Sequence, residues 1–170
     1  MSHHEHEKLA DAFLKIGIMT FSDTRDELSD KSGAILREIL ETAGHEIVLY
    51  RVVREDTPAM SAALKEWLAV EKLDAIITTG GTGLTARDGT VEVARNFFSK
   101  ELDGFGEIFR YISYRQIGAA AMLSRAVAGL AAGKMLVCLP GSSKAVKLAA
   151  TQLLVPQLPH MVWEIKRQLK

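Results

Sequence analysis

Leu73-Asp74-Ala75-Ile76-Ile77-Thr78-Thr79 runs straight into Gly80-Gly81-Thr82-Gly83, and the reading of this stretch decides the fold. A short, β-branched, apolar segment that stops at glycines predicts a strand covered on both faces, because a strand with one wet face would alternate polar and apolar positions. Upstream, Leu14–Phe21 is a second continuous apolar run, broken by the turn residues Ser22-Asp23-Thr24-Arg25-Asp26. From Ser29 to Ala43 the residues Ile35, Leu36, Ile39, Leu40 and Ala43 recur at helical spacing, with Ser29 or Asp30 available to cap the start and Gly44 the end. Ile47–Val53 predicts another strand. Asp56-Thr57-Pro58 then opens a helix that carries Met60, Ala63, Leu64, Trp67 and Leu68 on one face. Strands alternating with helices in this way build a parallel sheet with right-handed crossovers, so the fold class is α/β.

Downstream of the glycines the pattern is less regular. Helices are predicted near Val91–Phe98 and Phe105–Gln116. The apolar runs Ala126–Leu130 and Met135–Leu139, separated by Ala132-Gly133, predict a hairpin that gives the sheet one antiparallel strand. Gly141 opens a helix to about Leu154, and Met161–Leu169 forms a terminal one. We expect a flexible tail over residues 1–12 and one domain over 13–170. His3, His4 and His6 in that tail are read as part of a frayed terminus, not as ligands.

Apolar residues make up 48% of the 170 and charged residues 25%, which suits a globular chain and excludes a disordered one. Lys plus Arg (21) equals Asp plus Glu (21), so no overall field attracts nucleic acid or an anionic membrane, and any anionic ligand must be held locally. With no apolar stretch of membrane-spanning length and no signal-peptide core, a cytoplasmic location is expected. The single cysteine, Cys138, lies inside an apolar run and reads as a small buried hydrophobe.

In an open α/β sheet, ligands bind beyond the carboxyl ends of the strands, which here places the loops after Phe21, Val53, Thr79 and Leu139 around one crevice. Thr79, Gly80, Gly81, Thr82 and Gly83 offer amides that can approach a phosphate unobstructed, with Arg87-Asp88 adjoining. Neither a P-loop nor a dinucleotide fingerprint is present, since no Gly-x-x-x-x-Gly-Lys-Ser/Thr occurs and the glycines follow the third strand. Pro140, Gly141, Ser142, Ser143 and Lys144 place amides, hydroxyls and an ammonium at a helix start, a second candidate anion site that could equally be an ordinary cap. Asp56 and Asp88 each follow a strand and together form a hard-oxygen pair suited to Mg²⁺ on a nucleotide, although Asp56 could simply cap its helix. Ser22 and Asp23 on the nucleotide side, and Ser124 and Arg125, are further candidates near element ends.

Taken together, Thr79-Gly80-Gly81-Thr82-Gly83 with Arg87-Asp88 and Thr90, Gly104-Phe105-Gly106-Glu107, Leu123-Ser124-Arg125-Ala126 and Pro140-Gly141-Ser142-Ser143-Lys144 resemble the molybdenum-cofactor biosynthesis proteins of the MoaB/MogA type. The resemblance covers most of the chain. It implies a three-layer α/β/α sandwich with a mainly parallel sheet, a homotrimer or a hexamer made of two trimers, and sites for molybdopterin and ATP. It further implies magnesium-dependent adenylylation of molybdopterin, with Asp56 and Asp88 serving the metal and catalysis. A shift of one residue in the short match around Glu55-Asp56-Thr57 would put Glu55 in the first role instead. Gly89, Val91 and Ser143 depart from the commoner family pattern, which bears on the geometry of the substrate loops. The competing readings are a molybdopterin-binding protein without activity and, more distantly, a nucleotide-processing enzyme related to competence-damage proteins.

Overall fold

A computed structural model describes residues 13–167, so the predicted tail and the last three residues lie outside the described part. Strands β1 (Lys15–Phe21), β2 (Glu46–Val53) and β3 (Ala75–Thr79) alternate with helices α1 (Lys31–Thr42) and α2 (Thr57–Leu68). There follow α3 (Thr90–Arg95), a two-residue β4 (Lys100–Glu101), α4 (Asp103–Ile117) and a 3₁₀ turn, Gly118–Leu123. The hairpin β5 (Val127–Ala131) and β6 (Lys134–Leu139) leads into α5 (Ser143–Ala149), a π turn (Ala150–Leu154) and α6 (Val155–Lys166).

The six strands stand in the order β2-β1-β3-β6-β5-β4. β1, β2, β3 and β6 are parallel, and β5 runs antiparallel to both of its neighbours, as the hairpin requires. At the turn, Ala132 (φ 47°) and Gly133 (φ 74°) are both left-handed, the geometry of a tight two-residue hairpin turn. β4 escapes the sequence reading because two exposed, charged residues carry no strand pattern.

Period-2 alternation divides each buried strand between two layers. Ile16, Ile18, Ala75, Ile77, Val137 and Leu139 face α1, α4, α5 and α6, whose Leu36, Leu40, Phe105, Phe109, Val146 and Leu158 complete one core. Met19, Phe21, Ile76, Leu136 and Cys138 face α2 and α3, which add Met60, Leu64, Trp67, Val91 and Ala94. The result is a three-layer α/β/α sandwich. Gly17 belongs to the second face, where a Cβ would stand 2.9 Å from the Trp67 ring, so the missing side chain is what lets α2 lie close to the sheet.

Two predicted C-terminal helices prove to be one continuous helical run from Ser143 to Lys166, interrupted only by the π turn. Pro156 lacks an N–H and its ring crowds the carbonyl four residues back, and the turn just before it opens into the wider π pattern instead of breaking. Among the described residues no helix is long and apolar enough to cross a membrane.

β2 and β3 lie on opposite sides of β1, so the crossover from β1 to β2 and the one from β2 to β3 run in opposite directions across the sheet, which has its topological switch point there. That switch fixes where the loops after β1, β3 and β6 open a crevice.

Candidate functional site

A crevice of about 530 Å³ sits at this switch point, lined by residues from the loops after β1, β2, β3 and β6 together with Leu123. Its floor is the glycine loop. Gly80 (φ 94°) and Gly81 (φ 64°) are left-handed, and a Cβ would press on the Phe21 carbonyl at the first and on the Thr90 hydroxyl at the second. The loop's own groups are pinned from below: the Gly80 amide donates to the Leu139 carbonyl at 3.0 Å, the Thr90 amide to the Gly81 carbonyl at 3.0 Å, and the Thr90 hydroxyl to the Gly80 carbonyl at 2.9 Å. From the side, Arg125 Nε donates to the carbonyls of Gly83 (2.9 Å) and Thr82 (3.4 Å), and its Nη2 donates to the Asp88 carbonyl (2.9 Å), with Glu92 pairing the guanidinium. The amides of Gly81 and Thr82 donate to nothing among the described residues, which leaves two backbone donors for a ligand.

Two carboxylates flank this loop. Asp88 lines the crevice, where its Oδ2 accepts from the Thr85 amide (2.8 Å) and hydroxyl (2.6 Å). The Thr85 hydroxyl, with help from the Thr85 and Gly83 amides and the Arg125 charge, holds the Asp88 carboxyl below its ordinary range. The second acid is Glu55, not Asp56. Glu55 lines the crevice with Oε1 close to Gly81, whereas Asp56 turns away to cap α2 by accepting from the Ala59 amide at 2.9 Å. Burial, then the charges of Asp88 and Asp23, push the Glu55 carboxyl above its ordinary value, and Arg87 offsets this only in part. Asp88 therefore ionises first and Glu55 last, the behaviour of neighbouring acids that share a charge-dense site.

The other predicted residues fall in different places. Gly80, Gly81, Thr82, Gly83, Ser22, Pro140, Gly141 and Ser142 line the crevice with Asp88. Asp23 sits beside it, accepting from the Glu55 amide at 3.2 Å and pairing with Arg87, so it ties the loops after β1, β2 and β3 together. Thr79 is fully buried beneath the loop, 3.2 Å from the Thr20 hydroxyl. Ser143 and Lys144 do not line the crevice, and Lys144 is exposed. Ser124 and Arg125 line a neighbouring cavity of about 460 Å³ that also takes in Gly106, Glu107 and Arg110.

Sequence reading missed Thr24, Arg25 and Leu123 as lining residues. Arg25 lay in a run read only as a turn, and the 3₁₀ turn ending at Leu123 left no periodic trace. Cys138 is fully buried in the sheet, and burial pushes its thiol up to about 12, which removes it as a nucleophile near neutral pH.

The "Probable molybdopterin binding domain" family model matches residues 16–160. Molybdenum cofactor biosynthesis protein B of Bacillus cereus is 44% identical over 169 residues, covering 99% of this chain and all of that protein. A crystal structure of a molybdenum cofactor biosynthesis protein B superposes with a TM-score of 0.90 at 43% identity, over 93% of this chain and 99% of the other. The tungsten cofactor synthesizing protein MoaB from Pyrococcus furiosus does so with a TM-score of 0.79 at 35% identity, over 91% and 98%.

Proposed function

This chain belongs to the molybdenum-cofactor biosynthesis family of molybdopterin-binding domains, and from that premise we propose that it adenylylates molybdopterin with Mg-ATP in the crevice at the β1–β3 switch point. One observation carries the reading. Free amides at Gly81 and Thr82 stand between two coupled acids, Glu55 and Asp88, in a single crevice. Amides at a glycine loop suit phosphate oxygens, while the acids suit a divalent cation shared with those oxygens.

The donor set fits magnesium. Among the described residues no group of three or more acidic, histidine or cysteine side chains is gathered to enclose a metal alone. A pair of carboxylates completed by phosphate oxygens and water is the way Mg²⁺ is commonly held. The raised Glu55 carboxyl is consistent with this, since a nearby cation would offset the burial and the neighbouring negative charges that disfavour its ionised form. When bound there, magnesium supplies charge neutralisation for the nucleotide phosphates.

In the proposed reaction a terminal phosphate oxygen of molybdopterin attacks the α-phosphorus of ATP. The bond from that phosphorus to the oxygen bridging to the β-phosphate breaks, and pyrophosphate leaves with the electron pair. The nucleophile belongs to the substrate, so the protein's contribution is positioning and electrostatics. Gly81 and Thr82 would donate to phosphate, Glu55 and Asp88 would hold the cation, and Asp56 keeps α2 in place as its cap. A cytoplasmic location and a homotrimeric or hexameric assembly belong to the same proposal. The latter is supported by the apolar stripe that α4 leaves exposed at Ile108, Tyr111, Tyr114 and Ile117. A monomer in light scattering at micromolar concentration would count against the assembly.

The decisive experiment is formation of adenylyl-molybdopterin from molybdopterin and Mg-ATP by the wild type and by Glu55→Gln, Asp56→Asn and Asp88→Asn. We expect Glu55→Gln and Asp88→Asn to lose product while still binding pterin, with Asp56→Asn within a few-fold of wild type. A wild type that binds pterin and makes no product would leave a binding protein of the same pathway.

A further inference from the structure

On the wall of the crevice that carries Ser22, Gly141 and Ser142 stands Arg25, from the loop after β1. Its Nη1 donates to the Ser32 hydroxyl at 3.2 Å and to the Gly141 carbonyl at 3.3 Å. Behind it lies the buried Asp30 carboxylate, 3.8 Å from the same nitrogen. Asp30 is already served by the Thr20 hydroxyl (2.5 Å), the Tyr50 hydroxyl (2.6 Å) and the Gly33 amide (3.1 Å), so it orients the guanidinium without closing a bidentate pair. Gly141 likewise does not depend on the arginine, because the Ser32 hydroxyl donates to its carbonyl at 2.7 Å.

Every contact of the Arg25 guanidinium therefore runs through one nitrogen. Nε and Nη2 meet no partner among the described residues, and the side chain is 39% exposed. A planar guanidinium carries five N–H donors in a rigid fork that matches two oxygens of a phosphate. One anchored nitrogen and an open edge on a crevice wall is the arrangement that presents such a fork to a ligand. The acids Glu55 and Asp88 lie on the loops after β2 and β3, so the crevice has an acidic side and a basic one.

We propose that Arg25 is a phosphate-binding residue of this crevice, offering Nε and Nη2 as a bidentate fork to a phosphate group of the bound substrate on the Gly141 side. The inference rests on the reading of the crevice as a site for phosphate-bearing substrates. The phosphate has two sources, the monoester of molybdopterin and the triphosphate of ATP, and the test separates them.

The test measures the affinity of the full chain for molybdopterin, for its dephosphorylated form and for Mg-ATP, in the wild type, Arg25→Gln and Arg25→Lys. Arg25→Gln is expected to weaken the ligand whose phosphate Arg25 holds by about ten- to a hundredfold, the range for losing a charge-assisted bidentate contact. Affinity for the dephosphorylated pterin should not change. Arg25→Lys should recover only part of the loss, because an ammonium is a point donor and not a fork. A loss confined to molybdopterin assigns Arg25 to the monoester, and one confined to Mg-ATP assigns it to the triphosphate. Equal weakening of the dephosphorylated pterin would show that the arginine acts only by shaping the Gly141 loop, and would overturn the proposal. So would unchanged affinity for both phosphate ligands. If Arg25→Gln fails to fold, the partial loss in Arg25→Lys, whose charge and Ser32 contact can persist, decides the matter by the same pattern. A wild type that binds neither phosphate ligand brings down the functional reading itself, which is a separate failure visible before any variant is compared.

Discussion

The glycine loop after β3 and the loop after β6 both border the crevice, yet they are held in different ways. The first is braced by the protein alone: Leu139, Thr90 and Arg125 occupy its groups from beneath and beside, and its left-handed glycines leave no alternative path. The second is held at the Gly141 carbonyl by Ser32 and Arg25, while the exposed Ser142 hydroxyl caps α5 by accepting from the Ala145 amide at 3.2 Å. A surface braced from behind is ready before any ligand arrives. A surface held by a hydroxyl from α1 and only additionally by a crevice arginine leaves that arginine available to a ligand.

Gly80→Ala should break the first loop most severely. The residue would need a left-handed backbone and would push a Cβ onto the Phe21 carbonyl, so a loss of about 3 kcal/mol or more is expected in chemical denaturation. Arg125→Ala removes the lateral brace, leaves partly buried carbonyls of Thr82, Gly83 and Asp88 without their charged donor, and should cost about 2 kcal/mol. Arg125 makes no hydrogen bond to the loop after β6, whereas Gly80 packs against Gly141, so the Arg125→Ala variant is the cleaner test of the distinction. A comparable loss in the loop after β6, seen as faster amide exchange at Gly141 and Ser142, would erase the distinction.

A smaller effect separates the adjacent acids. Asp56→Ala removes a helix cap and should cost about 1 kcal/mol while product formation persists. Glu55→Gln should abolish product without that loss. The pH behaviour of the two crevice acids, Glu55 and Asp88, adds a further test. The folded protein holds the Glu55 proton more tightly than the unfolded chain, so this group favours folding fully at acid pH and loses that contribution as pH rises through its raised value. Asp88, held low, contributes above its ordinary value and loses that contribution as pH falls through its depressed one. Denaturation midpoints across the acid range should therefore show Glu55→Gln gaining on the wild type toward neutrality and Asp88→Asn falling behind. Magnesium-dependent activity should fail first at the Glu55 titration as pH is lowered. The smallest expected change is at Lys144, exposed and off the crevice, where Lys144→Gln should alter ligand affinity by no more than about twofold to threefold and stability within about 0.5 kcal/mol.

The alternation of buried strands and helices was legible because both faces of the sheet are covered, which makes the apolar runs continuous and unmistakable. Gly80–Gly83 was legible for a related reason: a strand that ends in glycines at a sheet's carboxyl edge leaves backbone as the available chemistry. What the sequence could not separate was Glu55 from Asp56. Both follow β2 and both are acidic, and only the register of the first turn of α2 decides which one caps the helix and which one faces the crevice. Arg25 was invisible for the opposite reason, since an arginine in a polar turn carries no periodic signal and its partners, Ser32 and Gly141, lie 7 and 116 positions away. The continuous C-terminal helix was read as two, ending near Leu154 and resuming at Met161, whereas a π turn carries the chain through the segment that holds Pro156 and Pro159.

Cys138 has a practical consequence. It is the chain's single thiol and lies sealed in the middle of the sheet. A thiol-reactive dye will leave the native molecule unlabelled and mark each chain the moment its sheet parts, so the rate of labelling is a clock for opening. The same silence means that a cysteine introduced at the mouth of the crevice would take up a fluorophore alone, giving a one-colour sensor of ligand arrival with no background to subtract.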